Sequence, residues 1–218
     1  MNSNLGSPPA GATGSYSPAG SVFFYRLIRL LSWTYLRLFH RLRVHGQKNA
    51  PSEGGLLVVA NHASYLDIPA VAASFRRHVS FVARGTLTSS RLIAWVIRVC
   101  GGILVGPGES DRAALRAIGE RLDAGYAVAI FPEGTRTSDG RLGEFRGGAL
   151  FAIKRSKVPL VPVGIRGSYA SFSRHHKLPR PHTIRMAFGK PLAPGAPQAT
   201  EHIREAIQRS LATLEGIR

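Results

Sequence analysis

Six short strand-like runs, near residues 55–60, 78–83, 102–105, 126–131, 159–165 and 182–188, constrain the fold of this chain more than any other feature. Each is strand-sized, and a run such as Gly55-Leu56-Leu57-Val58-Val59-Ala60 lacks the polar alternation of a half-exposed strand. Helical patterns lie between and after them, near 67–75, 88–99, 111–124, 146–155 and 199–214. In the last of these, Ile203, Ile207, Leu211 and Leu214 form a core-facing stripe. This alternation predicts an α/β fold, an αβα sandwich on a largely parallel central sheet. With 218 residues and 44% hydrophobic content, the chain can close one domain around its own core.

The first run leads directly into Asn61-His62-Ala63-Ser64-Tyr65-Leu66-Asp67. Pro69 and the apolar residues after it predict a helix starting near Asp67, so the segment is a strand-to-helix turn. On a continuous helix, residues five apart are separated by about 140°. A tight turn instead lets the Asp67 carboxylate fold back onto the His62 imidazole. A carboxylate on one ring nitrogen fixes the tautomer and leaves the other as a base. No Ser or Cys nucleophile is needed if that base acts on a substrate hydroxyl. The simpler alternative is an N-cap at Asp67 and a satisfied loop histidine at position 62.

The run Tyr126-Ala127-Val128-Ala129-Ile130-Phe131 leads into Pro132-Glu133-Gly134-Thr135-Arg136-Thr137. Gly134 lets backbone amides approach a ligand closely. Arg136 offers a fork of donors suited to phosphate or carboxylate, and Thr135 and Thr137 add hydroxyls. In open α/β sheets, ligands collect outside the carboxyl ends of strands. Here the simpler alternative is a surface turn with a weak Glu133–Arg136 ion pair.

Taken together, NHASYLD resembles the NHxxxxD motif, and FPEGTRT the FPEGTR motif, of the glycerolipid acyltransferases. Gly143-Glu144-Phe145-Arg146-Gly147-Gly148 resembles that family's FKxG stretch, and Val158-Pro159-Leu160-Val161-Pro162-Val163 its fourth block. The likeness covers roughly residues 40 to 190. It implies the same αβα architecture and an enzyme of phospholipid biosynthesis. Such an enzyme moves a fatty acyl group from acyl-CoA or acyl carrier protein to a lysophospholipid hydroxyl. It implies His62 and Asp67 as the catalytic pair. Glu133, Gly134, Thr135 and Arg136 would form the acceptor headgroup site, assisted by Arg84 and Arg146. No cofactor or metal is required beyond the acyl donor as co-substrate.

The second block departs from the pattern, because Gly106 and Pro107 stand where an Asp-Arg pair is expected. Arg112, five residues after Pro107, opens the next helix instead. The expected acceptor is 1-acylglycerol-3-phosphate, with an aminolipid or zwitterionic lysolipid as the alternative. A lipid or thioester hydrolase using the same base also stays open, although no G-x-S-x-G elbow is present.

Subtracting 12 acidic from 29 basic residues gives a net charge of +17, which favours nucleic acid or an acidic membrane surface. The arginines cluster on one N-terminal helix and around the site rather than among stacking aromatics, so no nucleic-acid partner is expected. The single Cys100 excludes an intrachain disulfide and is expected to be a buried apolar residue. Paired-cysteine and His-x-x-His spacings are missing, which argues against structural zinc.

Residues 1–20 carry no charge and are rich in Gly, Ser, Pro and Ala, as in a disordered tail. Residues 21–45 are expected to form an amphipathic membrane-interface helix, with residues 46–218 as the acyltransferase domain. On a helical wheel, Phe24, Leu27, Ile28, Leu31, Tyr35, Leu38, Phe39 and Leu42 share an arc of about 120°, opposite Arg26, Arg29, Arg37 and Arg41. Arginines would cost roughly 2.5–3.5 kcal/mol each near a bilayer centre, so this helix should lie on the surface rather than span it. Its alternative is an amphipathic helix packed on the protein's own core. The expected partners are a phospholipid surface, the lysolipid and the acyl donor. The expected location is the cytoplasmic face of a membrane, as a peripheral or monotopic protein.

Overall fold

A computed structural model describes residues 18–84, 95, 97, 100–105, 111–194 and 200–215 of the chain. Seven strands form one sheet: β1 (Arg43–His45), β2 (Leu56–Ala60), β3 (Val79–Arg84), β4 (Ile103–Val105), β5 (Ala127–Ile130), β6 (Leu160–Arg166) and β7 (Arg185–Phe188). Their order is β1-β7-β6-β2-β5-β3-β4. The five strands from β6 to β4 run parallel, and β7 pairs antiparallel with β6. The described helices are α1 (Pro18–His40), α2 (Asp67–Ser74), α3 (Asp111–Asp123), α4 (Gly147–Arg155), α5 (Ser168–Phe172) and α6 (Thr200–Thr213).

The apolar runs become strands because both of their faces are covered. Leu56, Val58 and Ala60 pack with Leu36 of α1 and Ala70 and Val71 of α2. Leu57 and Val59 pack with Ile118 and Leu122 of α3, Ile153 of α4, and Ile203 and Ile207 of α6. Every residue of β2 is fully buried, and each large apolar side chain contributes roughly 1.5–3 kcal/mol through that burial. An aspartate at Val58 would put an unpaired charge between the layers and break the fold. The sandwich is the expected one.

Two boundaries differ from expectation. Residues 18–20, assigned to the tail, are the first helical residues of α1, where proline fits because the first turn leaves its amides unpaired. The helix stops at His40 rather than running to 45, and Arg43–His45 forms β1 against β7. Its stop is a left-handed residue, Arg41 at φ 44°, with the Leu42 amide returning to Leu36 O at 3.0 Å. Arg37 Nη1 adds a bond to Leu42 O at 2.8 Å. No glycine marks this cap, so the pattern gave no warning. Residues 1–17 of the expected tail and Gly106-Pro107 lie outside the described residues. So does the expected helix near 88–99, with Arg91 and Arg98, apart from Trp95 and Ile97.

Helix α1 lies against α2, with Leu36 in the core they share and Arg29 donating to Phe75 O at the end of α2, while buried Tyr25 packs on His78 and accepts from the Val79 amide. Most of its apolar arc faces away from the protein: Phe24, Leu27, Leu31, Leu38 and Phe39 are exposed, Leu38 by 72%, whereas Tyr35 packs against the core. Leu42, assigned to that arc, is instead buried in the core beyond the helix end, and Arg29 is spent on the protein. Among the described residues no helix is long and apolar enough to cross a membrane. Cys100 is half-buried, and burial pushes its thiol up to about 11.

Candidate active site

The parallel strands β2 and β5 are neighbours in register, so the turns leaving their carboxyl ends lie side by side. The first of these turns is spliced into the sheet by Asn61. Its Nδ2 donates to Ile165 O at 2.9 Å and its Oδ1 accepts from the Ile165 amide at 2.7 Å. The side chain thus continues the β2–β6 ladder one step past the strand, which frees the backbone to turn.

His62 follows. Its Nδ1 lies 2.9 Å from Asp67 Oδ2, and the same oxygen accepts the Ala63 and Ser64 amides at 2.7 Å each. Asp67 is fully buried, while the His62 side chain keeps 14% exposure. The N-cap residue of α2 is Leu66, so Asp67 is not the N-cap but reaches back to the imidazole from the first helical position. Ser64 Oγ donates to Phe172 O at 2.8 Å and accepts from the Leu66 amide at 3.0 Å, closing the bend. Phe131, just past β5, stacks on the imidazole with ring centres 4.1 Å apart and 19° between planes.

Glu133 joins the two turns. It is buried, with Oε1 accepting the His62 amide at 2.7 Å and Oε2 accepting the Gly143 amide at 2.9 Å. Burial raises its carboxyl above the usual range, against the pull of these two amides. Its oxygens are committed to the backbone, and no ion pair with Arg136 forms. Gly134 sits at φ 66°, where a Cβ would come within 2.6 Å of the Arg146 side chain. Arg146 Nε in turn donates to Glu133 O at 3.1 Å. The Thr137 amide donates to His62 O at 2.9 Å, whereas its hydroxyl is spent on Asp139.

Arg136 lies over the Tyr65 ring, 3.5 Å from its centre, and its Nη1 is buried without an acceptor among the described residues. Tyr65 is itself held by its amide on Phe172 O and by the Phe172 ring at 4.9 Å. Thr135, Arg136, Arg146 and Arg174 line a groove of about 460 Å³ beside the bend. Arg84 is the last residue of β3, and its side chain lies outside the described residues. Sequence reasoning missed Asn61, Tyr65, Phe131 and Arg174. Asn61 and Phe131 carried a signal as the first letters of the two motifs, Tyr65 as an aromatic inside the His–Asp spacing, and Arg174 none.

A family model described as Acyltransferase matches residues 41–166, which include both turns. The chain belongs to the acyltransferase family. Among its relatives in this family is a chloroplastic 1-acyl-sn-glycerol-3-phosphate acyltransferase of Arabidopsis thaliana, 29% identical over 70% of this chain and 44% of that protein. A lyso-ornithine lipid O-acyltransferase of Pseudomonas aeruginosa is 32% identical over 63% of this chain and 53% of its own length. The chain spans about half the length of the curated relatives it matches. The crystal structure of the 1-acyl-sn-glycerophosphate acyltransferase PlsC of Thermotoga maritima superposes with a TM-score of 0.75 at 25% identity, covering 90% of this chain and 82% of that one.

Proposed function

We propose that this acyltransferase moves a fatty acyl group from a thioester, on coenzyme A or acyl carrier protein, to a hydroxyl of 1-acylglycerol-3-phosphate. The observation that carries the reading is the 2.9 Å bond between His62 Nδ1 and the buried Asp67 carboxylate. It leaves Nε2 as the basic nitrogen. His62 takes the proton of the acceptor hydroxyl as its oxygen attacks the thioester carbonyl. The C–S bond then breaks, the leaving thiolate takes the proton from the imidazolium, which restores the base, and the new ester remains. The acyl group passes directly from sulfur to oxygen, so no covalent acyl-enzyme forms. Asp67 stabilises the imidazolium, and Arg136 with Arg146 receives the headgroup.

The exposed apolar arc of α1 supports a membrane-surface enzyme, because a row of Phe and Leu this open to solvent marks an interaction face. A second acceptor reading, a lyso-ornithine lipid, is favoured by the Pseudomonas relative of that printed activity. Assay of the purified chain with one acyl-CoA against a panel of lysolipids decides between them. New diacyl lipid from 1-acylglycerol-3-phosphate, lost in His62→Ala, is the expected result. Release of free fatty acid with no acylated lipid would instead identify a hydrolase.

A further inference from the structure

We propose that Arg174 supplies a third cation to the groove of Arg136 and Arg146, and that together they take the dianionic phosphomonoester of the acceptor. This rests on the acyl-transfer reading above.

Arg174 comes from a different part of the chain, the loop after α5, yet it lines the same groove. Its neighbours fix its backbone there. Ser173 is buried, its amide donates to His176 Nδ1 at 3.2 Å, and its Oγ accepts the His175 amide at 3.3 Å. His175 Nε2 lies 3.2 Å from Ser138 O, which also accepts from Tyr169 Oη at 2.6 Å. The loop bearing Arg174 is thereby fastened to the corner of the loop bearing Arg136.

Among the described residues, none of the acids lining the groove forms an ion pair with its arginines. Glu133 spends both oxygens on amides, and Asp139 accepts from the Thr137 hydroxyl and the Arg141 amide. Glu144 alone among these three acids makes no side-chain hydrogen bond to the described residues, and the three arginines keep donors for a ligand. Arg174 has no acceptor among the described residues, and Arg136 keeps an unmatched Nη1. One guanidinium fork satisfies a lone carboxylate. A phosphomonoester presents three terminal oxygens and up to two charges, which suits three cations better. The groove also adjoins the base, since Glu133 lines it and holds the His62 amide.

The test is equilibrium binding of glycerol 3-phosphate, and of glycerate as its carboxylate counterpart, to the full chain in detergent micelles. Wild type, Arg174→Ala, Arg174→Lys and Arg136→Ala are compared, with acyl transfer measured on the same samples. Arg174→Ala should weaken glycerol 3-phosphate about tenfold and glycerate about twofold at most, and Arg174→Lys should recover most of the loss. Equal affinity in wild type and Arg174→Ala, or no binding of glycerol 3-phosphate to wild type, overturns the proposal. Arg174-dependent binding by a wild type that transfers no acyl group would sustain this phosphate site and refute the acyl-transfer reading. Transfer with Arg174-independent binding would do the reverse.

Discussion

The Phe131 ring stacks 4.1 Å from the His62 imidazole, on a residue that is also gripped by Asp67 at its edge. One contact fixes which nitrogen carries the proton, and the other fixes the plane of the ring. Replacing Phe131 with Leu keeps bulk but removes the aromatic face, whose pair energy is about 0.5–1.5 kcal/mol. The expected outcome is a kcat lowered roughly three- to tenfold with the acceptor KM unchanged, read from steady-state transfer kinetics.

Asp67→Asn should be far more severe. The amide can still accept from the Ala63 and Ser64 amides but no longer stabilises an imidazolium. In a comparable His–Asp unit this change costs about 10⁴ in rate. A drop of that order, with the thermal midpoint nearly unmoved, is expected from parallel activity and melting measurements. A kcat within tenfold of wild type would remove Asp67 from the mechanism.

Tyr65→Leu tests the support of Arg136. A cation over an aromatic face is worth about 0.5–2 kcal/mol. Its loss should raise the acceptor KM about 2- to 20-fold while kcat and the KM for acyl-CoA hold. An unchanged acceptor KM would mean that Arg136 is positioned without it.

The α1 surface gives a binding experiment. Leu31 and Leu38 are exposed and make no part of the core, so Leu31→Glu with Leu38→Glu should leave folding intact. Co-sedimentation with vesicles containing anionic phospholipid should fall at least about tenfold, since two apolar anchors become charges. Retained sedimentation would place the membrane contact elsewhere.

His78 sets an acid limit on stability. Burial holds its imidazole down at about 4, against 6.5 for a free ring, with the Cys100 backbone hydrogen bond opposing. Above 6.5 both folded and unfolded chains are neutral there. As pH falls from 6.5 towards 4, only the unfolded chain gains the proton, so stability is lost over that window. Between pH 7.5 and 4.5 wild type should lose about 2–3 kcal/mol more than His78→Gln in denaturant titrations. Equal losses would show that His78 titrates normally.

The expected strands and the longer described helices were legible because both faces of the sheet are buried and the turns carry Gly, Pro and Asp. Elements of three and five residues, β1 and α5, were not, since a helical or strand period cannot register in so few positions. Nor was the reversed direction of β7, because a short apolar run looks the same read either way. At the site, the His62–Asp67 bend could be read from Pro69 and the spacing. Its supports could not be, for Asn61 meets Ile165 and Ser64 meets Phe172 more than a hundred positions away.

That distance has a temporal meaning. The carboxamide of Asn61 finds its partner only once the chain has been built and ordered through Ile165. A ribosome-bound chain halted before that point holds every residue of the His–Asp turn but lacks the clasp that sets it. The turn is therefore braced only when the later part of the chain closes on the early one.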